Sequence, residues 1–287
     1  MTIQMKKSNT NIAISATLLA IICVQGGASI AKQLFPAIGA IGTVTLRIVL
    51  SAIILTLINR PKFSQFTKQM WIYCGFYGTG LAVMNLIFYM AIQRIPLGLA
   101  VTVEFAGPLF LALALSRKLL DVVWALLACV GILLIVPWKN DHVDLLGLGF
   151  AFLAGVFWAL YIVMGGKVAK IMDGKDAVTT GMLFASLVII PFTVWDGAVF
   201  NITPVIFLKG LGVAILSSAL PFSLEMVALK KLPAKTFSIL MSLEPAFAAL
   251  SGLVFLSESL SFLQWISIAC VIIASIGTTI FSKVSNH

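Results

Sequence analysis

Charge is what this 287-residue chain has least of: Asp, Glu, Lys and Arg make up 10% of it, against 61% apolar residues and a mean hydropathy of +1.11. Soluble domains carry roughly 25% charged residues, so a water-soluble body is excluded. Long polar stretches are missing too, which leaves no room for a soluble catalytic domain. Histidine is nearly absent. His142 and His287 are too few and too far apart to build a His-based metal centre, and neither sits in an apolar block where it would activate a serine. The four cysteines, Cys23, Cys74, Cys129 and Cys270, lie inside apolar blocks without CxxC spacing, which argues against a disulfide framework or a zinc site. A phosphate loop is also lacking: Gly166-Lys167 would need Gly five positions before the Lys-bearing pair and Ser or Thr after it, where Tyr161 and Val168 stand. Direct ATP drive, cofactor chemistry and enzymatic turnover are therefore not expected. The net charge of +9 has no folded polar surface on which to cluster, so nucleic acid is not an expected partner.

What remains is a helical membrane bundle. Apolar blocks at 11–35, 37–59, 69–92, 96–116, 121–138, 147–166, 177–195, 207–228, 234–256 and 261–281 predict an all-α polytopic membrane protein of ten spans. The first block resembles a signal peptide after Lys6 and Lys7, but its removal would leave nine spans and break the repeat described next. With the N-terminus inside, one side receives Lys6, Lys7, Arg60, Lys62, Lys68, Arg117, Lys118, Lys167, Lys170, Lys175, Lys230, Lys231, Lys235 and Lys283. The other receives Lys32, Arg94, Lys139 and Lys209. The excess of basic residues places both termini in the cytoplasm.

An internal repeat is visible. Ile95-Pro96 matches Leu232-Pro233 and Pro108 matches Pro245, at an offset of 137 that also pairs Ala91 with Ala228, Phe110 with Phe247 and Leu113 with Leu250. Trp124 and Cys129 match Trp265 and Cys270 at an offset of 141. Two units follow, 11–138 and 147–281, each of five spans. An odd number makes the second unit enter the membrane from the opposite side, so the expected architecture is two inverted five-helix repeats, as in secondary transporters.

The polar residues inside the spans point to a site. Gln25, Ser29 and Lys32 share one face of the first span, and Thr43, Arg47 and Ser51 one face of the second. Asn85 and Tyr89, Trp158 and Tyr161, and Ser218, Pro221 and Glu225 add polar stripes on three further spans. Arg47, Glu104 and Glu244 fall near the middle of their spans, with Glu225 closer to an end. An ionised residue at a span centre costs about 2.5–3.5 kcal/mol on insertion scales, so these groups are expected to face one another or water. One reading is a structural polar cluster; the other is a midplane site with a cation for a substrate carboxylate and carboxylates for an ammonium or a transported proton. The spans 121–138 and 261–281 lack such residues and read as peripheral supports, with Trp124 and Trp265 as interfacial anchors. Glycines such as Gly26-Gly27 read mainly as close-packing devices.

The segments QGGASIAKQLFP (25–36), TVTLR (43–47), FYMAIQRIPLGLAVTVEFAGPL (88–109), HVDLLG (142–147) and ILSSALPFSLEMVALKKLPAKTFSILMSLEPA (215–246) resemble the threonine/homoserine exporter group. That group is a branch of the EamA family in the drug/metabolite transporter superfamily. The resemblance covers nearly the whole chain and implies tandem EamA repeats and a bacterial inner-membrane exporter of small amino acids. One departure stands at Ser257, where the family commonly has Gly before the Glu at Glu258. Resemblance and residue pattern together lead to an amino acid held with its carboxylate near Arg47 or Lys32 and its ammonium near Glu104 or Glu244. Asn85, Tyr89 and Gln25 are the expected hydrogen-bonding residues, and Glu225, Trp158, Tyr161 and Ser218 are secondary candidates. The expected partners are the amino acid, protons and membrane lipid. A broad drug or metabolite exporter on the same fold, and a channel or non-transporting scaffold, remain as alternatives.

Overall fold

A computed structural model describes residues 2–114, 119–135, 144–197, 200, 202–221, 224 and 240–281. Glu225, among the expected site residues, and the basic residues at 117, 118, 139, 230, 231, 235 and 283 lie outside the described residues.

Among the described residues the backbone is helical and no strand occurs. In chain order the helices are α1 (Thr2–Lys32), α2 (Phe35–Asn59), α3 (Lys68–Arg94), α4 (Leu97–Glu104), α5 (Ala106–Ala114), α6 (Leu119–Ile135), α7 (Leu145–Val168) and α8 (Gly174–Asp196). They continue with α9 (Pro204–Ala214), which runs into a π-turn (Ile215–Ala219), then α10 (Glu244–Leu256) and α11 (Phe262–Phe281). Five helices are long and apolar enough to cross a bilayer, in the regions Asn11–Lys32, Phe35–Asn59, Lys68–Arg94, Leu145–Val168 and Gly174–Asp196. Five shorter apolar helical segments accompany them. The protein is a multi-pass helical membrane protein.

Helix ends follow local chemistry. Thr67 caps α3 by accepting from the Met70 amide, and Thr203 caps α9 ahead of Pro204 at its first turn. Asp144 caps α7, its carboxylate accepting from the Leu146 and Gly147 amides at 2.8 and 3.2 Å. Arg94 closes α3 just before Ile95-Pro96, where the proline restricts the preceding residue to extended backbone. Ser257, at the end of α10, has φ +54°, the left-handed conformation that glycine adopts without steric cost. Ser257 thus occupies a position whose backbone conformation suits the glycine expected there.

The spans read from sequence as 96–116 and 234–256 both contain a break. α4 ends at Glu104 and α5 starts at Ala106, while α10 starts at Glu244 after a turn at Ser242 and Leu243. Pro108 and Pro245 have no amide hydrogen to give the carbonyls four residues earlier, Glu104 and Met241. The two breaks stand 137 residues apart, the offset of the repeat.

Packing pairs the helices in a regular way. α2 packs on α8, α4 on α10 and α6 on α11. α3 lies against α7 and α8, as the π-turn lies against α1 and α2. Close approach depends on small residues: a Cβ on Gly98 of α4 would stand 2.7 Å from the Ala249 backbone of α10. α6 and α11 form a pair of their own, with the Trp124 ring over Gly277, where a Cβ would come within 2.5 Å of it.

Candidate functional site

A cavity of about 170 Å³ lies between α1, α2, α3, α4, α7, the π-turn and the start of α10. It is lined by Gln25, Arg47, Asn85, Glu104, Trp158, Tyr161, Ser217 and Glu244, with Val24, Ala28, Leu81, Met84, Phe88, Val101 and Met241 as its apolar wall. One guanidinium and two carboxylates therefore meet in a single apolar-walled space. Glu104 and Glu244 are each only 7% exposed, and Glu104 lies within electrostatic reach of both Glu244 and Arg47.

Arg47 is held by three partners. Its Nε donates to Ser218 Oγ at 3.2 Å, Nη1 to Tyr89 Oη at 3.4 Å, and Nη2 to the Ser217 carbonyl at 2.9 Å. The guanidinium carbon also sits 5.6 Å from the centre of the Tyr89 ring. A guanidinium has five N–H donors, so two remain for a ligand once these bonds with described residues are made. Planar donors fixed this way suit a carboxylate, whose two oxygens match the fork.

The aromatic wall is equally fixed. Trp158 meets Phe105 edge to face with ring centres 5.4 Å apart. Tyr77 and Tyr161 stack at 4.7 Å, and the Tyr77 hydroxyl donates to that of Tyr161 at 2.8 Å. Asn85 spends one amide hydrogen on the Leu81 carbonyl at 2.8 Å and presents the rest of its amide group to the cavity.

Of the residues expected from sequence, the structure brings Gln25, Arg47, Asn85, Glu104, Glu244, Trp158 and Tyr161 to the cavity surface. Tyr89 and Ser218 stand behind it, fully buried, as supports of Arg47. Lys32 lies elsewhere. Its Nζ contacts Glu258 Oε1 at 2.5 Å and donates to the Ile95 carbonyl at 3.0 Å, while Glu258 Oε2 accepts from the Leu97 amide at 2.8 Å. This node ties together the ends of α1, α4 and α10. Nearby, Arg94 pairs with Asp144 at 2.7 Å. Hydrogen bonds from Arg94, and then from the Gly147 amide, hold the Asp144 carboxyl below the usual carboxylate range.

The polar stripes need a correction. Ser29 donates to the Gln25 carbonyl, Thr43 to that of Gly39, and Ser51 to those of Arg47 and Ala214, all in helix contacts instead of the cavity. A short hydroxyl satisfies itself on the preceding turn of its own helix, so a stripe of hydroxyls does not by itself mark a wet face. Ser217 was missed because counting by 3.6 residues singles out Ser218, whereas the extra residue of the π-turn changes the register. Its sequence signal is Pro221, four residues on.

Residues 145–280 match the EamA-like transporter family. The threonine/homoserine exporter RhtA of Escherichia coli (strain K12) is 43% identical over 272 residues, covering 92% of this chain and 90% of that protein. The chain belongs to the EamA-like transporter family. A second relative, the threonine/homoserine exporter RhtA of Salmonella typhimurium (strain LT2), is 42% identical over the same shares of the two chains. One solved crystal structure aligns with 96% of this EamA-like transporter and 97% of its own chain at a TM-score of 0.59 and 16% identity, a likeness of fold alone.

Proposed function

We propose that this transporter exports threonine, homoserine and related small amino acids across a bacterial inner membrane by alternating access, coupled to protons. The observation that carries the reading is the cavity with one guanidinium and two carboxylates, in a chain 43% identical to a threonine/homoserine exporter. An amino acid is a zwitterion. Its carboxylate takes the free N–H groups of Arg47, and its ammonium lies between Glu104 and Glu244. The hydroxyl of threonine or homoserine is within the province of Asn85 and Gln25, while Phe88, Met84 and Trp158 bound the side-chain space.

Charge counting supports proton coupling. Among the described lining residues, Arg47 with two ionised carboxylates leaves one excess negative charge, and a zwitterion adds none. One proton makes the loaded cavity neutral, which lowers the cost of enclosing it in an apolar bundle.

Two observations support alternating access between inverted repeats at 11–138 and 147–281. Exchanging each span with its counterpart five spans later preserves the main helix pairings, and the proline breaks recur at the repeat offset. The Lys32–Glu258 node then acts as a latch at one end of the bundle, seven residues above the cavity along α1 from Gln25 and along α4 from Glu104. That is about 10 Å at 1.5 Å per residue. By the distribution of basic residues this end faces outward and both termini face the cytoplasm.

The apolar and aromatic wall favours a second reading, a broader metabolite exporter. Proteoliposomes loaded with labelled threonine, homoserine or an unrelated amphiphilic drug, with and without a proton gradient, separate the two. The proposal expects saturable amino-acid efflux that responds to the gradient. Drug efflux without amino-acid efflux from folded protein removes it in favour of the second reading.

A further inference from the structure

The seat of Arg47 depends on two residues that are not among its hydrogen-bond partners. In an α-helix the amide of residue 221 would bond to the carbonyl of Ser217. Residue 221 is Pro221, which has no amide hydrogen and whose ring crowds that carbonyl. The helix widens there into the π-turn Ile215–Ala219, closed by the Leu220 amide on the Ile215 carbonyl. The Ser217 carbonyl released by the proline is the one that accepts from Arg47 Nη2 at 2.9 Å, and the next side chain, Ser218, accepts from Nε at 3.2 Å.

A widened turn needs space, and Gly27 of α1 supplies it. A Cβ on Gly27 would collide with Ser217 Oγ and stand 3.1 Å from the Ser217 amide nitrogen and 3.2 Å from Leu216 Cβ. Contacts below 3.4 Å force the neighbours to move, and here they are the Ser217 hydroxyl, the Ser217 amide nitrogen and the Leu216 Cβ, all belonging to the turn. Ser51 fastens the other side, its hydroxyl donating to the carbonyls of Arg47 and of Ala214 at 2.5 and 3.2 Å. Spans from both halves of the chain thus converge on one guanidinium.

We propose that Pro221 and Gly27 are positioning residues for substrate recognition: the proline releases the Ser217 carbonyl, the glycine leaves room for the widened turn, and together they aim the remaining donors of Arg47 at the substrate carboxylate. The inference rests on the reading that Arg47 binds that carboxylate. It assigns a role in carboxylate selectivity to a residue pair that otherwise reads as a kink and a packing contact.

The test uses the purified full-length protein in nanodiscs and measures binding of labelled threonine, with competition by threoninol, which keeps the ammonium and hydroxyl but has no carboxylate. Pro221→Ala restores an amide that competes with Arg47 for the Ser217 carbonyl. Threonine affinity is expected to fall about tenfold, the equivalent of about 1.4 kcal/mol, with threoninol affinity changed by less than about twofold. Gly27→Ala is expected to act in the same direction, and either of the two variants that folds carries the comparison. Equal losses for both ligands, or none for either, overturn the positioning role. Arg47→Ala separates the two levels: if it leaves threonine affinity intact, the carboxylate reading fails and takes this inference with it. If Arg47→Ala abolishes threonine selectivity and the positioning variants do not, only the inference fails.

Discussion

Replacing Glu258 by Gln removes the negative charge from the node that joins α1, α4 and α10, leaving the Lys32 ammonium without its counter-ion, while keeping an oxygen for the Leu97 amide. Lys32 Nζ and Glu258 Oε1 are 2.5 Å apart, with side chains 20% and 14% exposed. At an effective dielectric constant of about 20 the bare attraction at that distance is roughly 6–7 kcal/mol, most of it offset by the cost of taking both ions out of water. Exposed pairs yield about 0.2–1 kcal/mol, and loss of one partner of a buried pair costs about 3–5 kcal/mol. This half-buried pair falls between, at about 2 kcal/mol. If the latch forms in only one of two conformations, its loss moves their ratio about 30-fold toward the unlatched one. The assay is labelling of a single cysteine at Val24, on the cavity wall, by a membrane-impermeant thiol reagent from the latch side, in a background lacking the four native cysteines. Glu258→Gln is expected to speed labelling by about that factor. The exchanged pair Lys32→Glu with Glu258→Lys keeps opposite charges but turns a carboxylate toward the Ile95 carbonyl and an ammonium toward the Leu97 amide, so it restores latching only in part. Unchanged labelling by folded Glu258→Gln protein would refute the latch.

Other expectations follow from single contacts. Asp144 has a folded-state pKa below its unfolded value, so its contribution to stability is present above the unfolded pKa of about 3.9 and is lost as pH falls through the folded value. Asp144→Ala therefore lowers Tm at neutral pH, and thermal melts from pH 7 down to pH 3 should show the difference from the parent shrinking. Gly98→Leu drives a side chain into the Ala249 backbone and is expected to destabilise the α4–α10 contact by about 1–3 kcal/mol, read as a lower melting temperature in detergent.

Much of the fold was legible because a bilayer leaves the chain few options. Apolar length marked the helices, whereas the breaks at Phe105 and at Ser242 and Leu243 fall inside segments that read as continuous spans, although Pro108 and Pro245 stand just after them. The scarcity of charge made Arg47, Glu104 and Glu244 conspicuous, and all three line one cavity. What could not be read depends on distance in sequence or on departures from the regular helix. Lys32 and Glu258 stand 226 residues apart, so nothing local reveals that each neutralises the other. The polar start of α1 gave no apolar signal, and the helix begins at Thr2, ahead of the expected boundary at residue 11. Hydroxyls at helical spacing imitate a wet face while bonding to their own backbone. The π-turn turns Ser217 to the cavity in a way that regular periodicity does not anticipate.

The central claim is that Arg47 holds the carboxylate of an exported amino acid. Efflux of labelled threonine from proteoliposomes containing equal amounts of folded wild-type and Arg47→Ala protein tests it most directly. The account predicts saturable efflux from the wild type and its near-complete loss in the variant; wild-type efflux by Arg47→Ala would contradict it.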